Sequence, residues 1–330
     1  KLSYADERVI HFGMIPRANR CIFVINELPD LQARIQVSLF SILEEKEIQI
    51  RGFKLRIPLD LQFIFTANPE DYTNRGSIVT PLKDRIGSQI ITHYPHTLSI
   101  AKKITKQESD IIQSSVYIPE LAHDLIEEIN FAARKSEYVD FKSGVSARMS
   151  ITAFENLVST AKRRMLINNE EKTSIRLSDF TGVIPAINGK IELVYEGEEQ
   201  GADQISFNLI NEGVKTIFLR FFPEISKLEK PNEVTPYDKI LSWFVENGTE
   251  LFIGDEFTNK EYQDSLDEIK PLDELVKKYC KEINNEDISF IKEILLWGLS
   301  SFKKLSKNRM LDGIEFKDSL GSYLKNLNSD

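Results

Sequence analysis

Cysteine is scarce in this chain, and so are long apolar runs. Only Cys21 and Cys280 occur among the 330 residues, which is too few for a disulfide scaffold. Cys21 lies in a short apolar run, where we expect a small buried hydrophobic residue. No apolar stretch could span a bilayer, and no charged start precedes an apolar signal segment. These absences predict a reduced, cytoplasmic protein without a membrane segment.

Positive charge is also in deficit. Lysine and arginine number 42 against 51 acidic residues, which gives a formal net charge of −9. This balance argues against a protein that wraps nucleic acid, and the sequence contains no recognisable DNA-binding module. We therefore expect no nucleic-acid partner. The length suits two or three globular domains.

The most informative stretch, residues 21–27, reads Cys-Ile-Phe-Val-Ile-Asn-Glu. A strand buried on both faces of a parallel sheet has a continuous apolar sequence of this kind. Ligands of open α/β sheets bind outside the carboxyl ends of the strands, so Glu27 stands where an active site is expected. Residues 61–67 predict a second buried strand, which ends at Asn68 and Pro69.

The segment between these strands changes its periodicity. Apolar residues recur every four positions from Leu31 to Leu43, which predicts an amphipathic helix with Asp30 as its N-cap. Residues 47–57 then alternate apolar and polar side chains around Gly52. This alternation predicts a β-hairpin.

Beyond the second strand, residues 77–86 predict a short helix, and residues 89–92 predict a third strand. From His96 onward the signals are helical, and apolar residues at helical spacing predict helices at residues 120–135 and 146–167. An acidic stretch with glycine at residues 192–201 predicts a boundary. The expected fold class is α/β plus all-α. The predicted domains are an α/β domain at 1–95, a helical domain at 96–190 and a mostly helical domain at 191–330.

The strand ends and two helical arginines suit one chemistry. Hydrolysis of a nucleoside triphosphate needs a carboxylate to orient or activate water, a polar group to position it and cations to neutralise developing charge. Glu27 supplies the carboxylate and Asn68 the polar strand end. Arg85 and Arg148 are the candidate cations.

Three segments carry a family resemblance. Residues 13–31, the sequence Ala-Asn-Pro-Glu at 67–70 and the sequence Leu-Lys-Asp-Arg at 82–85 resemble the AAA+ ATPases of the MoxR and magnesium-chelatase group. The resemblance covers residues 10 to about 150 well and weakens beyond 200. It implies part of a P-loop AAA+ parallel sheet with a β-hairpin insertion, followed by a helical lid.

The resemblance also implies roles for individual residues. Residues 22–27 correspond to the Walker B strand with Glu27 as the catalytic carboxylate, and Asn68 corresponds to sensor 1. Arg85 corresponds to the arginine finger, and Arg148 to the sensor 2 arginine. ATP and Mg²⁺ are the implied cofactors. The implied partners are further copies in a homo-oligomeric ring and a von Willebrand factor A-domain protein.

Several of these residues have a simpler interpretation. Glu27 could be a carboxylate favoured by a helix dipole, and Asn68 before Pro69 could begin a turn. Arg85 could be a solvated helix charge, and Arg75 is a rival for the finger. The motif context favours the catalytic interpretation of Glu27, Asn68 and Arg85.

Other basic residues are harder to assign from sequence. Arg148 competes with three further helical arginines, namely Arg134, Arg163 and Arg164, and its Ser-Ala-Arg context favours it. The hairpin residues Arg51, Lys54 and Arg56 could solubilise an exposed ribbon or contact a substrate or partner. His93 and His96 have no standard metal-ligand spacing, so we expect them to be structural.

Two departures from the family pattern bear on function. Asn26 occupies the Walker B position that usually holds an aspartate near the Mg²⁺ shell. Its amide oxygen can accept a hydrogen bond from a magnesium-bound water but carries no charge. Slow or tightly regulated turnover is the resulting hypothesis.

The second departure concerns the phosphate-binding loop, whose motif is Gly-x-x-x-x-Gly-Lys-Ser/Thr. No such motif occurs, and the look-alike at residues 182–191 has the wrong spacing and no hydroxyl. We expect a gap in the sheet, which an upstream segment or another chain fills. Without that segment, we expect the fragment to be inactive. The expected function is an ATP-hydrolysing motor that remodels or activates a partner protein. A catalytically inactive scaffold or adaptor is the alternative.

Overall fold

The computed structural model describes residues 11–49, 56–68, 77–111, 115–228, 235–247, 250–280 and 283–319. The chain divides into two compact units, residues 1–93 and 94–330. In the part of the chain described, no helix is both long enough and apolar enough to cross a bilayer.

The elements alternate between strands and helices in the first unit and are mostly helical in the second. The strands are β1 (Ile22–Ile25), β2 (Glu47–Gln49), β3 (Arg56–Pro58), β4 (Gln62–Phe65), β5 (Val116–Tyr117), β6 (Thr173–Ser174), β7 (Leu251–Gly254), β8 (Leu305–Arg309) and β9 (Gly313–Asp318). The helices are α1 (Met14–Arg17), α2 (Ala33–Glu45), α3 (Thr80–Lys83), α4 (Leu98–Glu108), α5 (Glu120–Ala133), α6 (Ala147–Ile167), α7 (Ile184–Asn188), α8 (Tyr195–Gln200), α9 (Ala202–Phe221), α10 (Ile225–Leu228), α11 (Asp238–Asn247), α12 (Asn259–Asp267), α13 (Lys270–Tyr279) and α14 (Ile288–Ser301).

The first unit contains the predicted parallel pair and the predicted hairpin. β1 pairs in parallel with β4, so that Ile22 lies opposite Gln62 and Ile25 opposite Phe65. β2 pairs antiparallel with β3, and the hairpin tip at residues 50–55 lies outside the described residues. The expected α/β fold with a helical region after it is confirmed.

β1 is exposed on one face, which corrects the expectation of a strand covered on both sides. Ile22 and Val24 are 63% and 53% exposed, whereas the alternate residues Phe23 and Ile25 are partly buried. Cys21 is exposed rather than buried. Successive side chains of a strand point to opposite faces, and the small core around Leu28 covers only one face of this one.

Helix α2 begins later than predicted. Residues Leu28–Asp30 form a 3₁₀ turn and Leu31 is extended, so the N-cap is Gln32, without a side-chain capping bond, and not Asp30. The helix nevertheless buries the expected face through Leu39 and Ile42. Apolar burial contributes roughly 25 cal/mol per Å². The buried face therefore stabilises the helix more than a side-chain cap would.

The predicted third strand is absent from the described residues 89–92. Ile90 and Ile91 are 91% and 79% exposed there. An apolar run becomes a strand only where a neighbour accepts its backbone hydrogen bonds, and no described strand pairs with this one. The helix predicted at residues 77–86 is reduced to α3, which begins beside Pro81.

The second unit confirms two predicted helices and contains a sheet that was not predicted. α5 and α6 lie where apolar spacing placed them, and the Ser146 hydroxyl accepts the backbone N–H of Arg148 as an N-cap of α6. α14 is buried over most of its length. β9 lies between β7 and β8 in an antiparallel sheet.

A buried ionic network links the helices of the second unit. Arg164 on α6 binds both carboxylate oxygens of Asp179 at 3.1 and 2.9 Å, and both side chains are almost fully buried. The Arg176 guanidinium lies 4.5 Å from the ring centroid of Tyr262. The Tyr262 hydroxyl in turn donates to Glu293 on α14 at 2.7 Å. Segments that the sequence placed in separate helical domains thus share one polar core.

Glu293 makes this core sensitive to pH. Burial raises the pKa of its carboxyl to about 7, although Tyr262 and the backbone N–H of Leu177 donate to it. The unfolded pKa is near 4.5, so the folded state holds a proton that the unfolded state releases. The stability contribution is therefore fully present below pH 4.5 and is lost as pH rises through 7.

We expect Glu293→Gln to become more stable relative to wild type by about 2–3 kcal/mol between pH 5 and pH 8. The glutamine oxygen can still accept both hydrogen bonds and carries no charge at either pH. Urea unfolding of both proteins at the two pH values measures the difference. A difference that stays constant with pH would rule out Glu293 as the titrating group.

Candidate active-site edge

The carboxyl ends of β1 and β4 are joined through Thr66. The backbone N–H of Glu27 donates to the Thr66 hydroxyl at 3.0 Å, and that of Leu28 donates to the Thr66 carbonyl at 2.9 Å. The same hydroxyl lies 3.4 Å from the amide oxygen of Asn26. The structure therefore places Asn26 and Glu27 beside the strand end that leads into Asn68. We call this group, Asn26, Glu27, Thr66 and Asn68, the polar edge.

Glu27 has an unusual backbone. Its φ of 51° and ψ of 56° lie in the left-handed region, which a residue with a Cβ enters only at a cost of order 1 kcal/mol or more. The bonds to Thr66 on either side fix this conformation. Glu27, Asn26 and Asn68 are all exposed, so the carboxylate and both amides face solvent at the end of the sheet.

Gln36 connects the turn that follows Glu27 to the segment that precedes Arg85. This side chain of α2 is buried; its amide donates to the carbonyls of Leu31 at 2.9 Å and Ser77 at 3.1 Å, and its oxygen accepts the Val79 N–H at 2.9 Å. Sequence reasoning missed Gln36 and Thr66. Two signals were available in the sequence. Gln36 lies next to the apolar stripe of α2, and Thr66 carries a hydroxyl just before Ala-Asn-Pro.

The proposed finger, Arg85, is held within its own chain. Its guanidinium donates to Glu44 at 2.8 and 2.5 Å and to the Pro81 carbonyl at 2.8 Å, and it lies 5.3 Å from the ring centroid of Phe40. The side chain remains about 30% exposed. The rival finger, Arg75, lies outside the described residues, as do the hairpin residues Arg51 and Lys54.

Arg56, the remaining basic hairpin residue, donates to Glu47 across the stem at 2.9 Å. The pair joins the first residue of β2 to the first residue of β3. Both side chains are partly solvated, and an ion pair of this kind contributes little to stability. The contact orients the two strands of the stem.

Arg148 lies in the second unit, on the first turn of α6. Gly144 before it has a φ of +68°, and a Cβ there would lie 2.4 Å from the Tyr94 hydroxyl, so only glycine fits. That hydroxyl accepts the backbone N–H of Val145 at 3.1 Å. Arg148 is exposed, and within the described residues no side-chain contact holds its guanidinium.

The three competing helical arginines are engaged instead. Arg164 binds Asp179, Arg163 reaches Glu256 at 3.5 Å, and the Arg134 side chain donates to the Val145 carbonyl at 3.1 Å. Arg148 is therefore the one of these four arginines best placed to meet a ligand. Arg148 and the polar edge belong to different units.

The polar edge fits one side of a magnesium–nucleotide complex. Amide and carboxylate oxygens suit Mg²⁺, which usually keeps several of its waters. Asn26 and Glu27 would hold such waters, and the carboxylate would supply a proton acceptor. No group of three His, Cys, Asp or Glu residues with metal-binding geometry occurs in the described ranges.

Comparison with known families agrees with this geometry. Residues 2–88 match the family model of the sigma-54 interaction domain, a family of AAA+ ATPases. The first unit is AAA+-like. The matched span contains the polar edge, the hairpin and Arg85, and it supports nucleotide and magnesium use in the general sense of that class.

A solved structure is also similar to part of the chain. The 2.00 Å crystal structure of a predicted ATPase from Cytophaga hutchinsonii is 21% identical, with a TM-score of 0.23. The match covers 58% of this chain and 65% of that one, so the chain spans about two thirds of the length of that protein. No curated protein matches the chain.

Proposed function

We propose that the natural protein is an ATP-hydrolysing AAA+ motor of the MoxR and magnesium-chelatase type that remodels or activates a partner protein. The observation that carries this proposal is the polar edge, in which Thr66 joins the Glu27 strand end to the strand that leads into Asn68. The family match to residues 2–88 supports the general AAA+ ATPase part of this proposal independently of geometry.

Each residue of the site has a distinct task in this proposal. The Glu27 carboxylate accepts a hydrogen bond from the attacking water and orients it, and Asn68 positions that water. Arg85 of one subunit neutralises charge at the nucleotide of the next subunit in the ring, and Arg148 contributes a second cation. When bound, ATP would supply the phosphoryl group, and Mg²⁺ would help to neutralise the charge that develops during its transfer.

The β2–β3 hairpin is the proposed contact with the remodelled protein. It belongs to the same unit as the polar edge, and its sequence carries three basic residues, Arg51, Lys54 and Arg56. A von Willebrand factor A-domain protein is the first partner class that we propose. A sigma-54 factor is the second, because the matched family is described by its sigma-54 interaction.

A catalytically inactive scaffold remains the second candidate function. Two observations favour it. The neutral amide of Asn26 stands at the magnesium position, and the Arg85 guanidinium is already bound by Glu44 of the same chain. An absence of ATP binding by the natural full-length protein would favour the scaffold. ATP binding with slow turnover would favour the motor and agree with a weakened metal site.

Subunit mixing tests whether Arg85 acts between subunits. We expect Arg85→Ala and Glu27→Gln to hydrolyse ATP very slowly when assayed alone. In an equimolar mixture, about a quarter of ring interfaces combine an intact Glu27 with an intact Arg85, so about a quarter of the wild-type rate should return. Phosphate release from the mixed, re-equilibrated proteins measures it.

Glu44→Gln is the matched control for this experiment. It removes the negative charge that pairs with Arg85 but keeps the guanidinium, so it should retain activity if Arg85 serves as a finger. Equal loss in Arg85→Ala and Glu44→Gln, together with no recovery on mixing, would assign Arg85 a structural role within its own chain.

A further inference from the structure

Gln36 is a buried amide whose three shortest hydrogen bonds all lead out of its own helix. The side chain is 1% exposed. Its amide nitrogen donates to the carbonyls of Leu31 and Ser77, and its oxygen accepts the Val79 N–H, all at 3.1 Å or less. Both donors and the acceptor are therefore used. Two of the bonds tie α2 to a segment 41 to 43 positions later in the sequence.

The segment that Gln36 holds is the start of helix α3. Val79 is the N-cap residue of α3, and its apolar side chain makes no capping bond. α3 has only four residues, whereas an isolated helix needs roughly 12–15 to be even marginally stable in water. Its position therefore depends on contacts with the rest of the unit. Leu82 supplies a fully buried apolar contact, and Gln36 supplies directional ones.

The same face of α2 also reaches the Arg85 guanidinium. Residues four positions apart lie above one another on a helix, which places Gln36, Phe40 and Glu44 in one row. The guanidinium lies 5.3 Å from the Phe40 ring centroid and is bound by Glu44. The Arg85 backbone N–H donates to the Leu82 carbonyl at 3.0 Å, so Arg85 is joined directly to α3. The row thus contacts this segment at its start and at its end.

An apolar side chain could fill the Gln36 position at lower cost. A buried amide is unfavourable unless its polar atoms find partners, whereas methionine has a similar length and needs no partner. The amide adds direction, because a hydrogen bond specifies where its partner lies and an apolar contact does not. Gln36 thereby fixes the start of α3 at one position on α2.

We propose that Gln36 is the positioning residue of the arginine finger. It sets where α3 lies on α2, and so where Arg85 stands when it meets the nucleotide of the next subunit. This assignment rests on the proposed function, because it needs Arg85 to act between subunits. A misplacement of about 1 Å can lower a rate by about 10²-fold. Gln36 also bonds to Leu31, in the turn after Glu27, so an effect on the finger must be separated from an effect on Glu27.

Subunit mixing separates these two routes in the natural full-length protein. Gln36→Met keeps the length of the side chain and removes its donors and its amide oxygen. We expect it to lower kcat for ATP hydrolysis at least about tenfold, with nucleotide affinity within about twofold of wild type. Mixed equally with Glu27→Gln, it should recover about a quarter of the wild-type rate, because its own Glu27 meets an intact Arg85. Mixed with Arg85→Ala, it should not exceed the average of the two proteins, because neither supplies a correctly placed finger.

Three results would overturn the proposal. Recovery with Arg85→Ala but not with Glu27→Gln would show that Gln36 acts through Glu27. Recovery with neither would leave Gln36 a purely structural role, and wild-type turnover in Gln36→Met would leave it none. Leu39→Ala is the matched control, because Leu39 is a buried residue of the same helix. Its cavity weakens the fold without removing a Gln36 bond, so the folded protein should keep its kcat within about twofold.

Val79→Pro breaks one of the same bonds from its other partner. Proline has no N–H, and the Val79 backbone, with φ of −63° and ψ of 135°, already suits it. We expect this variant to recover activity with Glu27→Gln and not with Arg85→Ala, as Gln36→Met does. A folded Val79→Pro protein with wild-type turnover would contradict the proposal even if Gln36→Met did not fold.

Hydrogen exchange gives a readout that does not need ATP hydrolysis. Peptides that cover residues 79–86 should exchange at least about tenfold faster in Gln36→Met than in wild type, and at an unchanged rate in Leu39→Ala. Unchanged exchange in Gln36→Met would overturn the positioning role. A wild-type protein that hydrolyses no ATP would overturn the proposed function and the finger with it, even where exchange confirms that Gln36 anchors α3.

Discussion

Replacing Glu27 with glutamine is expected to lower kcat for ATP hydrolysis by about 10²–10³-fold in the natural full-length protein, with little change in nucleotide affinity. Glutamine has nearly the same shape and enters the left-handed backbone region at the same cost as glutamate. The Glu27 side chain is exposed, so its replacement should not unfold the unit. The substitution therefore removes a proton acceptor and a charge and little else.

Phosphate release measures the loss of turnover, and a fluorescent nucleotide analogue measures binding. Asp30→Asn is the matched control, because Asp30 is an exposed acid in the 3₁₀ turn that follows Glu27. It should stay within about twofold of wild type, since exposed charges at this distance have weak effects. A Glu27→Gln protein with wild-type turnover would contradict the proposed motor.

The polar edge shows how far a sequence can define a site. Continuous apolar residues that end in Asn26-Glu27 and in Asn68 predicted two strands with neighbouring carboxyl ends, and β1 and β4 do pair in parallel. The two strands were predictable because an apolar run and the polar residues that end it are local properties of the chain. The two strand ends are joined by the hydrogen bond from the Glu27 N–H to the Thr66 hydroxyl, and these residues are 39 positions apart in the sequence.

Other features of the first unit depend on distant neighbours. Whether Ile22 is buried is decided by what covers the sheet, and whether residues 89–92 form a strand is decided by the strand beside them. Neither is encoded in a local apolar pattern. Gln36 is a similar case, because a buried amide is stabilised by three backbone groups that the helix pattern does not reveal.

The second unit also contains features that the sequence predicts and features that it does not. α6 was predictable to within one residue at its start because Ser146 is a strong N-cap and apolar spacing continues through its length. The β7–β9–β8 sheet was not predictable, since β8 reads Leu-Ser-Lys-Asn-Arg and lacks the alternation of a half-buried strand. Its place between buried helices and β9, rather than its own sequence, makes it a strand.

The largest stability effect that we expect comes from Arg164→Ala. Removing this guanidinium leaves the Asp179 carboxylate buried without its cation, and it also strips hydrogen bonds from Thr173 and the Ser174 carbonyl. Breaking one side of a buried pair typically costs about 3–5 kcal/mol. The backbone N–H of Arg176 still donates to Asp179 at 2.8 Å, which places the expected loss toward the lower end.

Urea unfolding followed by tryptophan fluorescence measures this loss directly, because Trp243 and Trp297 both lie in the second unit. Arg163→Ala is the matched control: it removes the neighbouring arginine, whose partner Glu256 is solvated, and should cost less than about 1 kcal/mol. The double variant Arg164→Ala with Asp179→Ala should lose less than the sum of the single losses, since no unpaired charge stays buried. Strict additivity, or equal losses in Arg163→Ala and Arg164→Ala, would show that the pair does not act as a coupled unit in the core.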